Sequence, residues 1–93
     1  MTITELMDKA KRVSNLPSDN ALKRALGLFG PSTTYWRKGV GFPSETSIVR
    51  LAELAGENPE IWLIRLRIEK AEPEVKPVFE ALLNRLEIEK SAA

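Results

Sequence analysis

Glycine and proline fall at short intervals along this chain, and that punctuation constrains its fold more than any other feature. Pro17, Gly27, Gly30, Pro31, Gly39, Gly41, Pro43, Gly56, Pro59, Pro73 and Pro77 interrupt every segment that would otherwise lengthen. Glycine costs a helix interior backbone entropy and proline removes a hydrogen bond, so both mark helix ends. Between the marks, apolar residues recur three and four positions apart, the period of a helix with one buried face. No run of four or more residues alternates with period two, and no Asn-Gly or Asp-Gly hairpin signal occurs. The expected fold is all-α, a compact bundle of five or six short helices.

Local chemistry places the helix starts. Thr2 with Glu5 fits a capping box, and the helix behind it carries Ile3, Leu6, Met7, Ala10 and Val13 until Asn15, Leu16 and Pro17 stop it. Ser18 caps a second helix with Ala21, Leu22, Ala25 and Leu26 on one face, and Gly27 ends it. Pro31 suits the first turn of a third helix that passes through Trp36 to a stop at Gly39. Ser44 caps a fourth, with Ile48, Leu51, Ala52 and Ala55 spaced for burial and Gly56 as its end. Asn58 and Pro59 open a fifth, whose Ile61, Trp62, Leu63, Ile64, Leu66 and Ile68 cover more than one face and predict a position between neighbours. Pro73 and Pro77 bracket the start of a sixth, amphipathic helix with the stripe Val75, Val78, Phe79, Leu82, Leu83 and Leu86. Its tail from Glu89 lacks apolar periodicity and is expected to fray.

With 93 residues, 43% apolar and 29% charged, the chain suits one globular domain. Residues 1–70 form the expected core, and residues 71–93 add a last helix to the same domain. Cysteine and histidine are both absent, which removes disulfides, thiolate ligands, the usual zinc ligand and the usual proton shuttle. The carboxylates scatter over exposed faces and the glycines lack the Lys and Ser/Thr of a phosphate loop, so neither an enzyme nor a metal site is expected. No apolar run reaches the roughly 18 residues of a membrane span, and no charged leader precedes one, so the expected location is cytoplasmic, with no membrane partner. Net charge is only +1, but it is divided. Residues 1–50 hold eight Lys/Arg against four Asp/Glu, and residues 51–93 hold six against nine. A basic first half is suited to face phosphates, although chance distribution of surface charge gives the same asymmetry.

Residues 20–39 are the informative segment. Two short helices joined through a glycine turn, the second ending in an aromatic and two basic residues, is the layout that presents a helix to the DNA major groove, here residues 31–38. Ser32, Thr33, Thr34 and Tyr35 supply short hydroxyls for bases or phosphates, and a Thr methyl can touch a thymine methyl. Lys23, Arg24, Arg37 and Lys38 can neutralise phosphates, with Ser18 and Asn20 contributing at the start of the second helix. Each has a plainer reading. Ser32 to Thr34 also fit a solvated first turn, while Arg37 and Lys38 complement a helix dipole at about 0.3–1 kcal/mol without any partner. Trp36 and Trp62 lie at inward spacings and read as core.

The residues Leu26-Gly27, Trp36-Arg37-Lys38-Gly39 and Pro43, followed by Leu51, Ala52, Leu54, Ala55 and Gly56 with Asn58-Pro59, resemble the repressor-type helix-turn-helix family of lambda repressor and Cro-like proteins. With its first helix and its C-terminal extension, the chain looks most like the small regulators of filamentous phages and prophages. The family pattern covers residues 2–66. This resemblance implies a transcriptional regulator that binds double-stranded DNA without a cofactor, and it implies that base edges are reached from Gly30, Pro31, Ser32, Thr34 and Tyr35. The chain departs from the family at four positions. Gly30 and Pro31 replace long polar side chains and cannot make bidentate base contacts. Phe29 stands where a capping Ser or Thr is usual, and Lys23 where the second helix carries a small residue.

The stripe on the last helix either closes the domain's own core or packs against a second copy. Dimerisation through Val78, Phe79, Leu82, Leu83 and Leu86 is the expectation, because one short helix without long base-reading side chains binds weakly alone. The alternative function is a protein-interaction module, an antirepressor or adaptor that meets another phage or host protein through the last two helices.

Overall fold

The computed structural model describes residues 2–92. The helices are α1 (Ile3–Val13), α2 (Asp19–Ala25), α3 (Ser32–Lys38), α4 (Glu45–Leu54), α5 (Pro59–Lys70) and α6 (Lys76–Ala92), and no strand occurs among the described residues. Their starts follow from side-chain oxygens that satisfy orphan amides. Thr2 and Glu5 form a reciprocal capping box, Ser18 Oγ accepts from the Ala21 amide at 3.1 Å, and Ser44 Oγ accepts from Ser47 at 3.2 Å. Asn58 Oδ1 accepts from Glu60 and Ile61 at 2.8 and 3.3 Å. Each such cap is worth about 1 kcal/mol.

The ends of α1 to α4 share one chemistry. Asn15, Gly27, Gly39 and Gly56 adopt positive φ, and the following amide reaches the carbonyl five residues back. Those bonds run from Leu16 to Lys11, Leu28 to Lys23, Val40 to Tyr35 and Glu57 to Ala52, at 2.8–3.0 Å.

Two boundaries differ from expectation. Pro31 is the N-cap of α3 rather than its first residue, and no side chain caps that helix. The sixth helix continues to Ala92 instead of fraying after Glu89. Glutamate, lysine and alanine are good helix formers and continue a helix without an apolar stripe.

Leu6, Met7 and Ala10 of α1 pack with Ile48, Leu51 and Ala52 of α4 at the centre, and Leu22, Leu26 and Trp36 close one side of the core. Trp62 and Leu66 of α5 complete the cluster. Among the described residues α5 contacts α4 and α6, which explains why its apolar residues cover more than one face. Polar ties reinforce this order: Lys9 pairs with Glu57, Ser14 Oγ donates to the Leu54 carbonyl at 2.6 Å, Arg67 meets Glu45 at 2.7 Å and Arg65 meets Glu87 at 3.0 Å. Among the described residues the last helix packs against α5 alone, with Phe79, Leu82, Leu83 and Leu86 half-buried and outside the core cluster. Val78 is 68% exposed. No helix among the described residues is long and apolar enough to cross a membrane.

Candidate nucleic-acid interface

Thr33 and Trp36 stand three residues apart, so they share one face of α3. Both are buried, at 5% and 8% exposure, and they hold the helix against the core. The opposite side presents Pro31, Thr34, Tyr35 and Lys38 to solvent, with Ser32 half-buried at its start. Thr33, expected to touch DNA, is therefore an anchor of the helix. Trp36 is core, as its spacing implied.

Arg37 also departs from the expectation of a phosphate contact. Its Nε and Nη2 donate to the two carboxylate oxygens of Asp19 at 3.0 and 2.9 Å, Nη2 reaches Asp8 at 2.8 Å, and Nη1 approaches the Thr4 carbonyl at 3.5 Å. Lys11 adds a second cation 3.0 Å from Asp19. The hydrogen bond from Arg37, opposed by partial burial and assisted by Lys11, lowers the Asp19 pKa to about 2. Arg37 likewise holds Asp8 below the ordinary carboxylate range, and the two carboxylates raise its own pKa further. A guanidinium engaged by two carboxylates and a carbonyl clamps the end of α3 to α1 and to the start of α2. Ser18 also has an internal task, since its hydroxyl oxygen is the cap of α2.

The turn between α2 and α3 is built tightly. Gly27 and Gly30 take φ values of 71° and 77°, a region that L side chains rarely adopt. Leu28 packs back on the core, and Lys23 Nζ donates to the Gly30 carbonyl at 3.0 Å. That bond shows how the long side chain fits beside the turn, because the ammonium reaches past the helix to the Gly30 carbonyl. Arg50 of α4 donates to the Leu26 carbonyl at 3.2 Å and so closes the end of α2.

Basic and polar groups thus remain on the outside. Arg24, Asn20 and Lys38 are exposed, and Lys23 lies at the edge of the turn. Two residues that sequence reasoning did not assign belong to this surface. Phe29 is 91% exposed at the tip of the turn, and Arg50 of α4 reaches the end of α2 at the Leu26 carbonyl. The signal for Phe29 was present as an apolar residue where a capping hydroxyl was expected, whereas Arg50 became visible only when α4 was set beside α2.

Elsewhere, an open groove of ≈ 600 Å³ is lined by Ile3, Phe42, Trp62 and Leu83 with Arg65, Glu69, Lys76 and Glu80. Its rim carries both signs of charge and selects neither anions nor cations. Comparison with protein-family models, curated proteins and solved structures finds no match.

Proposed function

We propose that this protein is a DNA-binding transcriptional regulator of the lambda-repressor and Cro-like helix-turn-helix class, encoded by a phage or prophage, which sets α3 in the major groove as a homodimer. The observation that supports this reading most is the division of α3 into two sides. Thr33, Trp36 and Arg37 spend their contacts on the protein, while Thr34, Tyr35 and Lys38 face outward beside the basic end of α2. Lys23, Arg24 and Lys38 serve the phosphates, and Ser32, Thr34 and Tyr35 meet the base edges. Arg37 positions the helix without touching DNA.

The dimer is part of the proposal. Two short hydroxyl side chains and one phenol give modest base readout, and a second copy one helical turn away adds the missing affinity. The exposed Val78 and the half-buried stripe of α6 are suited to the subunit contact. A gel shift with duplexes selected from a randomised pool tests the reading. The double variant Arg24→Ala with Lys38→Ala binds more weakly to every duplex, with a salt dependence lowered by about two units in slope per chain. Unchanged affinity in that variant contradicts it.

A second reading keeps the fold and makes α6 the recognition element for another protein, favoured by the exposed Val78 and Ile88. It requires that no duplex be enriched from the pool at low salt.

A further inference from the structure

Among the described residues Phe29 is the most exposed of the large apolar side chains. It does not sit on a loose loop. The Leu28 amide donates to the Lys23 carbonyl at 3.0 Å, Lys23 Nζ donates to the Gly30 carbonyl at 3.0 Å, and Ser32 Oγ donates to the Phe29 carbonyl at 3.4 Å. Leu28 is packed on the core immediately before it, and Gly30 holds a left-handed conformation immediately after. The phenyl ring is therefore presented from a fixed turn that opens directly into α3. Pro31 and Tyr35, one helical turn apart, continue the exposed side, with Thr34 beside them.

This tip lacks the groups that read bases by paired hydrogen bonds. Glycine and proline occupy the two positions before Ser32, and no amide or guanidinium stands on the outer side of α3 between Pro31 and Tyr35. The chemistry that remains is a phenyl ring, a pyrrolidine ring, a threonine methyl and short hydroxyls. The apolar feature that the major groove offers is the C5-methyl group of thymine. Lys23 reaches the turn itself, and Arg24 and Lys38 are exposed near the ends of α2 and α3, positive charge that complements a groove walled by phosphates.

Building on the DNA reading above, we infer that Phe29, with the methyl group of Thr34, recognises thymine 5-methyl groups in the major groove, so that this chain selects its operator by methyl contact. Each methyl buried against the ring contributes about a fourfold gain in affinity.

The test uses the full chain and a duplex that it selects from a randomised pool, resynthesised with deoxyuridine or 5-bromodeoxyuridine in place of the thymidines. The expected result is a loss of about fourfold per contacted methyl with deoxyuridine and recovery with the similarly sized bromine. Phe29→Ser binds the thymidine duplex more weakly and shows a smaller deoxyuridine penalty, keeping only the share that belongs to Thr34, while Phe29→Leu, which keeps the apolar bulk, retains the full penalty. An exposed side chain can be exchanged with little effect on folding, and a thermal melt of both variants checks this. Equal binding of the thymidine and deoxyuridine duplexes by the natural chain overturns the inference and leaves DNA binding standing. A deoxyuridine penalty that survives intact in Phe29→Ser overturns the role of Phe29. Failure to enrich any duplex at low salt overturns the DNA reading and this inference together.

Discussion

Arg37 belongs to a run of residues whose pattern points outward, yet its guanidinium turns inward to Asp19 and Asp8. Spacing within α3 could not reveal this, because both partners come from other helices and meet Arg37 only after α1, α2 and α3 have packed. Thr33 is different, since its position three residues before Trp36 already places it on the buried face. Replacing Arg37 with alanine leaves two carboxylates without their main partner and costs about 1–2 kcal/mol, a fall of roughly 4–16 °C in Tm. The pH dependence of that loss has a definite sign. Asp19 has a folded-state pKa of about 2 against an ordinary 3.8, so its ion pair stabilises the fold above about pH 4 and is lost as pH falls from there towards 2. About a third of the Asp19 side chain is solvent-exposed, and screening reduces the contribution to about 1 kcal/mol. Thermal melts between pH 6 and pH 2 should show the natural chain losing stability more steeply than Arg37→Ala below pH 4. Parallel curves for the two proteins contradict the clamp.

At the scale of the elements, helix starts and stops were legible because each is decided within four or five residues. Thr2, Ser18, Ser44 and Asn58 cap the helices that their positions predicted, and Gly27, Gly39 and Gly56 end theirs. The exception is α3, whose start has no side-chain cap because its N-cap is Pro31, which carries no polar group. The course of α6 beyond Glu89 was not legible in apolar periodicity, since helix propensity continues it. Ser18 separates a structural role from a contact role. Ser18→Ala removes the cap of α2, costing about 1 kcal/mol and about 4–8 °C in Tm, while the salt dependence of duplex binding stays unchanged. A reduced salt slope with an unaltered Tm would instead make Ser18 a phosphate contact.

For the whole molecule, net charge understates the case for a polyanionic partner. Arg37, Lys11 and Lys9 of the basic half are paired with carboxylates, which leaves Lys23, Arg24 and Lys38 as the cations of α2 and α3 that no carboxylate engages among the described residues. Three phosphate contacts per chain give a slope of about −3 in log affinity against log salt, and two chains about −5 to −6. The half-buried stripe of α6, packed among the described residues on α5 alone, leaves Val78 available for a subunit contact. Val78→Asp changes an exposed position, so stability should move by less than about 0.5 kcal/mol while sedimentation shifts from dimer to monomer and the salt slope halves. A natural chain that sediments as a monomer at working concentration contradicts the dimer. The positions of the helices along the chain followed from periodicity and punctuation, but which charges face outward depended on tertiary pairing that no local pattern encodes. The most direct measurement is an amide chemical-shift titration of the isotope-labelled chain with its selected duplex at low salt. Shifts should concentrate in residues 23–38, strongest around Phe29, Thr34, Tyr35 and Lys38. Shifts confined to α5 and α6, or none at all, would contradict DNA binding through α3.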